Sequence, residues 1–366
     1  MNKRKILVVL CLLAAALMLT ANVSADAKKQ LPDPDGKPAD MTKPVQVYIL
    51  LGQSNMVGAG RISGDNDGTL ENAVKKKGLY PYLIDDSGNW TVCNDVRNVR
   101  VMGSGGPGKT RQFNNEFMTI KGRSMGPEYG IGYVMGHVTD APVMILKSCI
   151  GNRSLGWDLL PPGSKRYEGQ VTNKKTGETK TYVYAGFGDS PDKWEKGTEP
   201  KRITWTAGCQ YAGDIDRAKK VLADLDKYYP GAKEYEVAGF FFWQGDKDRY
   251  NATHAKRYEK NLVALIKALR KDFNAPNAKF VCATLGQTKK DDTKNMNEKM
   301  ILDAQMAVCG KSGKYPDFKG NVATVYTNPL SKGGASNGHY GRNSETYMNV
   351  GEAMGWAMAE LIAPKK

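Results

Sequence analysis

A hydroxyl, an imidazole and two carboxylates occupy positions in this chain where strand-end loops could present them together. Ser54 lies in Gly52-Gln53-Ser54-Asn55-Met56, directly after the apolar residues 45–51. His339 lies in Asn337-Gly338-His339-Tyr340, and Asp246 and Asp248 follow residues 237–243 in Gln244-Gly245-Asp246-Lys247-Asp248. A free serine hydroxyl is a poor nucleophile at neutral pH and needs an adjacent base, and an imidazole needs a carboxylate to fix its tautomer and stabilise its charged form. Ser54, His339 and Asp246 therefore read as nucleophile, general base and orienter, with Asp248 as the reserve acid. Attack on a carbonyl carbon would develop a tetrahedral oxyanion, for which the backbone N–H groups of Ser54 and Gly151 and the side-chain amide of Gln244 are the candidate donors. The chain has three histidines. His137 falls inside a helical pattern and His254 reads as a helix-start or surface residue, which leaves His339 as the base.

Such side chains meet only if the elements before them run side by side. Residues 45–51, 142–147, 237–243, 278–285 and 321–326 are nearly continuous apolar runs of strand length, the pattern of parallel strands buried on both faces. Between them Ile215, Ala218, Leu222, Leu225 and Tyr229 recur at helical spacing before Pro230-Gly231, as do Tyr258, Leu262, Leu265, Ile266 and Leu269. A final helix is expected over about 344–362. This alternation predicts an open, mostly parallel sheet with helices on both faces and a site beyond the carboxyl ends of its strands. Residues 158–207 interrupt the rhythm, since a strand-to-helix connection usually takes roughly 2 to 6 residues. They read as a lid or a substrate-recognition insertion. With them, the flat ring of Trp157 is expected to make an apolar contact with substrate, and Gln53 and Asn152 to touch it. Trp205, Trp243 and Tyr340 are further aromatics near the site, Trp243 being assigned to the core.

The flanks and the charge set the context. Residues 1–25 carry Lys3, Arg4 and Lys5, an apolar run too short to span a membrane, and small residues at Val23-Ser24-Ala25, which predicts a cleaved signal peptide and a secreted or periplasmic product without a membrane anchor. Residues 26–44 read as a polar, proline-punctuated linker, and residues 45–364 as one domain. Across 366 residues the formal net charge is +15. The cations are scattered in short runs such as Lys75-Lys76-Lys77, without an aromatic recognition block, which argues against nucleic acid, while the positive excess suits an anionic polymer. Beyond Cys11 in the leader, Cys93, Cys149, Cys209, Cys282 and Cys309 are odd in number, so at least one thiol stays unpaired; no spacing suggests a metal site. Gly103-Ser104-Gly105-Gly106-Pro107-Gly108-Lys109-Thr110 matches the phosphate-loop pattern, but no helix pattern follows Lys109 to cradle phosphates. It reads as a flexible glycine loop, and no nucleotide is expected.

Taken together, these blocks resemble the SGNH hydrolases, in the branch of sialate O-acetylesterase-like and family 6 carbohydrate (acetylxylan) esterases. The matching segments are Gly52-Gln53-Ser54-Asn55-Met56, Gly126-Pro127-Glu128, Gly151-Asn152 with Ser154-Leu155 and Trp157, Trp243-Gln244-Gly245-Asp246, and His339-Tyr340 before the last helix. The resemblance implies a three-layer α/β/α flavodoxin-like fold and a cofactor-independent serine esterase acting on acetylated polysaccharide or sialylated glycans. It also implies Ser54 as nucleophile, His339 as base, Gly151 as second-block oxyanion donor and Gln244 in place of the third-block asparagine. Two departures stand out. Ser336 occupies the position of the acid in an Asp-x-x-His block, and Asp246 stands where this branch often has a glutamate. A protein that keeps the fold and binds carbohydrate with impaired catalysis is the alternative these departures leave open.

Overall fold

The computed structural model describes residues 31, 34, 36–108, 110–173 and 175–363. The expected signal peptide lies outside the described residues. Part of the expected linker is docked rather than free: Ala39 is buried and the Asp40 N–H donates to Asp140 O at 2.7 Å.

The strands are β1 (Val45–Gly52), β2 (Gly60–Arg61), β3 (Cys93–Met102), β4 (Arg111–Met118), β5 (Ser124–Met125), β6 (Val143–Ser148), β7 (Tyr167–Thr172), β8 (Thr179–Tyr184), β9 (Lys193–Glu195), β10 (Tyr235–Trp243), β11 (Lys279–Ala283) and β12 (Val322–Val325). The α-helices are α1 (Ser54–Val57), α2 (Glu128–His137), α3 (Cys209–Ala223), α4 (Leu225–Tyr228), α5 (Ala252–Asp272), α6 (Met296–Ala307) and α7 (Ser344–Ile362). All five expected strands form. They build a seven-stranded sheet of order β12-β11-β10-β1-β6-β3-β4, parallel throughout except for the β3–β4 hairpin. The run β6-β1-β10-β11-β12 is the 2-1-3-4-5 order of flavodoxin-like folds, extended at one edge by β3 and β4.

Each strand feeds two cores because successive side chains point to opposite faces. Tyr48, Leu50, Phe241, Trp243 and Val281 pack against α2 and α7. Val47, Ile49, Leu51, Phe240, Phe242 and Phe280 pack against α3, α5 and α6. The three-layer α/β/α architecture follows from that partition. Helix α5 starts where Asn251 Oδ1 accepts the N–H groups of Thr253 and His254, a side-chain cap that satisfies donors without intrahelical acceptors.

The 158–207 insertion contains a small antiparallel sheet of order β7-β8-β9 over its own apolar cluster of Leu160, Ala185 and Ala207, with Trp157 and Trp194 against it. The glycine loop 103–110 joins β3 to β4, so the residues after Lys109 form a strand rather than a helix. Nor is it loosely held. The Gly105 N–H donates to Gln210 Oε1 at 2.8 Å, and Arg217 Nη2 donates to the carbonyls of Gly105 and Gly106. Cys93, Cys149, Cys209, Cys282 and Cys309 are all free thiols. Burial pushes Cys149 and Cys282 up to about 12. No helix among the described residues is long and apolar enough to cross a membrane.

Burial also raises the Glu352 carboxyl on α7 from 4.5 to about 7, although Tyr82 donates a hydrogen bond to it. The folded chain therefore keeps a proton that the unfolded chain releases, and stability should fall as pH rises from about 4.5 to 7. Glu352→Gln is expected to flatten that slope, nearly neutral at the acid end and stabilising above the folded value. Urea unfolding across the window measures it.

Candidate active site

The sheet order places β1 and β10 side by side at the switch point, where ligands bind in open α/β sheets. Gly52 pairs with Trp243 at the end of both strands. Its φ is +143°, and a Cβ there would stand 2.3 Å from Trp243 O, so only glycine lets the chain turn this close to β10. The turn leads at once into α1. Ser54 is its first residue, so its backbone N–H has no intrahelical acceptor, while the N–H groups of Met56 and Val57 return to Gln53 O.

Behind this turn sits a buried ion pair. Lys147 Nζ contacts Glu128 Oε2 at 2.5 Å and donates to Val57 O, the carbonyl that ends α1, at 3.0 Å. Glu128 Oε1 accepts the Gly126 N–H as well. Burial lowers the Lys147 pKa. Lys147→Met would strand Glu128 without its cation and Val57 O without its donor, with an expected loss of about 3–5 kcal/mol in urea unfolding.

Gly151 faces the serine from the loop after β6. A Cβ on Gly151 would come within 3.4 Å of Ser54 Cβ, so the missing side chain lets the Gly151 backbone lie close against Ser54. Asn152, at φ +57°, and Trp157 continue from there along one wall of a cavity.

His339 belongs to Ser336–Arg342, which packs against α1. His339, Tyr340, Gly341 and Arg342 all have φ between 52° and 61°, a left-handed run in which three residues are not glycine. Each such residue costs roughly 1–3 kcal/mol unless its surroundings impose the conformation. Tyr340 supplies that constraint. Its ring is buried, stacks on Trp243 at 5.6 Å and 18°, and meets Tyr347 edge-on, while its hydroxyl accepts the Gly286 N–H at 3.1 Å. Trp243 is a core residue, as expected, with its Nε1 donating to Thr284 O. Tyr340→Ala should cost about 3–5 kcal/mol and release the histidine turn. Tyr340→Phe keeps the stack, loses one hydrogen bond and should cost about 1 kcal/mol. Paired urea titrations separate the two contributions.

The carboxylates are placed very differently. Asp246 Oδ1 accepts from Ser336 Oγ at 2.6 Å and from Arg249 Nε at 2.9 Å. Asp248 is fully buried, and its oxygens take the N–H groups of Leu155 and Gly156, each at 2.8 Å, and Gln244 Nε2 at 2.6 Å. Burial raises the Asp248 pKa against those hydrogen bonds. It staples the loop after β6 to the loop after β10. Ser336 thus brings Asp246 to the very position, three residues before His339, whose acid is missing from the sequence. The side-chain tie between Ser336 and Asp246 had no signal in either motif.

Two sequence expectations need correction. Gln244 is fully buried; its Oε1 accepts from Tyr258 Oη at 2.8 Å, and its Nε2 is spent on Gln53 Oε1, Arg153 O and Asp248 Oδ2. No N–H of this amide is left for an oxyanion. Gln53 is 1% exposed, and its Oε1 accepts from Gln244 and from the Lys247 N–H, so it ties loops together instead of touching substrate. His254 is buried at the start of α5, with its Nε2 at 3.2 Å from Asp192 Oδ1. Among the described residues, no hydrogen bond joins the Ser54 hydroxyl, the His339 ring and Asp246.

The sheet order and the polar site at its switch point are those expected of an SGNH-type hydrolase. Residues 170–359 match the model of the family described as carbohydrate esterase, sialic acid-specific acetylesterase. The match takes in more than half of the chain, including Asp246, Ser336 and His339, and the chain belongs to that family. Its activity is therefore that of a carboxylic ester hydrolase that removes acetyl groups from carbohydrate. No curated protein matches the sequence. Among solved structures, an Arabidopsis thaliana protein is 16% identical with a TM-score of 0.45, over 86% of this chain and 98% of its own. A carbohydrate acetylesterase from Xanthomonas citri is 14% identical with a TM-score of 0.47, over 85% of this chain and 55% of its own. NanS is 11% identical with a TM-score of 0.41, over 80% of this chain and 79% of its own.

Proposed function

We propose that the protein is a secreted or periplasmic serine esterase that removes O-acetyl groups from acetylated polysaccharide or sialylated glycans through an acetyl-enzyme on Ser54. The observation that carries this reading is the placement of Ser54. It opens a helix at the switch point, faces the bare Gly151 backbone, and lies against the segment that bears His339. His339 takes the hydroxyl proton as Ser54 Oγ bonds to the acetyl carbonyl carbon. The Ser54 and Gly151 N–H groups hold the oxyanion. As the carbon–oxygen bond to the sugar breaks, His339 returns the proton to the sugar oxygen. A water then attacks the acetyl group, giving its proton to His339, and acetate leaves with Ser54 restored.

Asp246 is the orienter in this scheme. Ser336 and Arg249 both address Oδ1, which leaves Oδ2 for an imidazole N–H. Asp248 has no oxygen to spare. Asn152 and Trp157 contact the substrate, an anionic glycan being favoured by the excess of Lys and Arg over Asp and Glu that remains once Lys3, Arg4 and Lys5 are removed with the leader. The signal-peptide pattern in the sequence of residues 1–25 is what supports export.

Acetate release from acetylated xylan, pectin and sialylated glycans, alongside 4-nitrophenyl acetate, tests the reading. Ser54→Ala and His339→Ala should each lower kcat by at least about 10³-fold, because members of such a triad act as a unit. Asp246→Asn should cost kcat with little loss of stability, whereas Asp248→Ala should chiefly destabilise, by about 3 kcal/mol, through its stranded donors. Equal inertness of wild type and Ser54→Ala, with glycan binding retained, would instead make this a carbohydrate-binding protein on an esterase fold.

A further inference from the structure

A separate cavity of about 230 Å3 lies between the insertion and α5, and none of Ser54, Gly151 and His339 lines it. Ser164, Lys165 and Tyr167 contribute one wall, and Arg257, Lys260 and Asn261 the other. The last three fall at i, i+3 and i+4, so they share one face of the helix. The volume is below the roughly 300–1,000 Å3 of pockets that hold organic ligands, and it suits a small ion with its water.

The charge at this junction is unmatched. No acidic residue lines the cavity, and among the described residues Lys165, Arg257 and Lys260 form no ion pair. Arg257 instead lies 4.5 Å over the Tyr167 ring, which in turn stacks on Tyr184 at 5.2 Å and 17°, so the guanidinium is held where helix and insertion meet. Two neutral groups are unmatched as well. Asn261 is 4% exposed and its Nδ2 makes no hydrogen bond, and the buried Tyr167 hydroxyl makes none either. Buried donors without a partner are rare, because each carries the cost of its lost hydration. Burial raises the Tyr167 pKa, so the phenol keeps the proton it can donate. Water could satisfy the two donors but not the three cations. An acceptor that is also an anion satisfies both.

We infer that this cavity binds a tetrahedral oxyanion, sulfate or phosphate, free or as an ester on a polymer, and that the anion ties the insertion to α5. Arg257 and the two lysines supply the charge, and Asn261 and Tyr167 the neutral donors. A single carboxylate has too few oxygens and too little charge for this set. The anion relieves the mutual repulsion of Lys165 and the α5 cations, at a junction that the contact between Asp192 and His254 already spans. The inference goes beyond ester hydrolysis at Ser54 and does not rest on it.

Thermal unfolding and calorimetry of the whole protein, with sodium sulfate and sodium phosphate compared against sodium chloride at equal ionic strength, test this. Sulfate and phosphate should raise Tm saturably, as ligands of the folded chain do, and calorimetry should give one site per chain. Lys165→Gln and Lys260→Gln, both at exposed positions, should each raise the sulfate Kd about threefold. Arg257→Gln should raise it about tenfold. Asn261→Leu separates binding from packing: it removes an unpartnered buried amide, so Tm in chloride should be unchanged or higher while sulfate binds about fivefold more weakly. A sulfated oligosaccharide that binds more tightly than inorganic sulfate, with its unsulfated counterpart inert, identifies a polymer-borne ester as the ligand; equal affinities identify the free anion. A Tm gain that never saturates, or that survives in the Arg257→Gln/Lys260→Gln double variant, overturns the site. Turnover of 4-nitrophenyl acetate should be unchanged in these variants, so failure of the anion site and failure of the serine mechanism are read separately.

Discussion

Trp243 is the point from which both the serine and the histidine are positioned. Its carbonyl lies against Gly52 and accepts the Gln53 N–H at 3.2 Å, so the strand that delivers Ser54 is measured from its backbone. Its indole carries the stacked ring of Tyr340, so the turn that holds His339 is measured from its side chain. A left-handed turn of His339, Tyr340, Gly341 and Arg342 would relax if left in solvent. Burial of Tyr340 among Trp243, Tyr347 and the Gly286 N–H offsets that tendency. A strand-end tryptophan that looks like ordinary core thus fixes the relation between two loops nearly three hundred residues apart in sequence.

The two departures from the family pattern meet at one spot, and each makes sense of the other. Asp246 has one methylene less than the glutamate expected there, and Ser336 has lost the carboxylate expected three residues before His339. Ser336 Oγ donates to Asp246 Oδ1, so the small residue makes room for the carboxylate and also orients it. Arg249 fixes the same oxygen from the other side and is itself bound to Glu298. A negative charge this enclosed is tolerable because two donors hold it.

The parallel strands could be read from the sequence because each is buried on both faces and so appears as an unbroken apolar run, as in Val237 to Trp243. β3 and β4 could not. Asn94, Asp95, Arg97, Asn98 and Arg100 interrupt the first, and Arg111, Gln112, Asn114 and Asn115 give the second the look of a loop. Their polar groups find partners only after folding, as when Arg97 donates to Tyr228 O and to Asn115. The strands β7 and β8 of the insertion are short and only partly buried, so period-2 patterning carries little hydrophobic signal there. That Ser54, Gly151 and His339 lie on loops at one edge of the sheet could be read from position after a strand or before a helix. For Gln53 and Gln244 position was not enough: a motif states where an amide sits, not which of its atoms are already spoken for.

That distinction gives Gln244 its actual importance. At the end of β10 its amide binds Gln53 from the serine loop, Arg153 O from the Gly151 loop and Asp248 from its own loop, while Tyr258 and Gln305 hold its two oxygens from the helical layer. Asp248 then carries the chain of bonds to Leu155 and Gly156, and His254, at the start of α5, reaches Asp192 in the insertion. Buried polar networks of this kind are costly when any member is unsatisfied and rigid when all are paired. The same buried side chains that fix the loops around Ser54 therefore also fix the floor and outer wall of the adjoining cavity. A change in the insertion that shifted Asp192 would be felt at His254, whose ring lies against Gly156, the residue whose N–H Asp248 accepts.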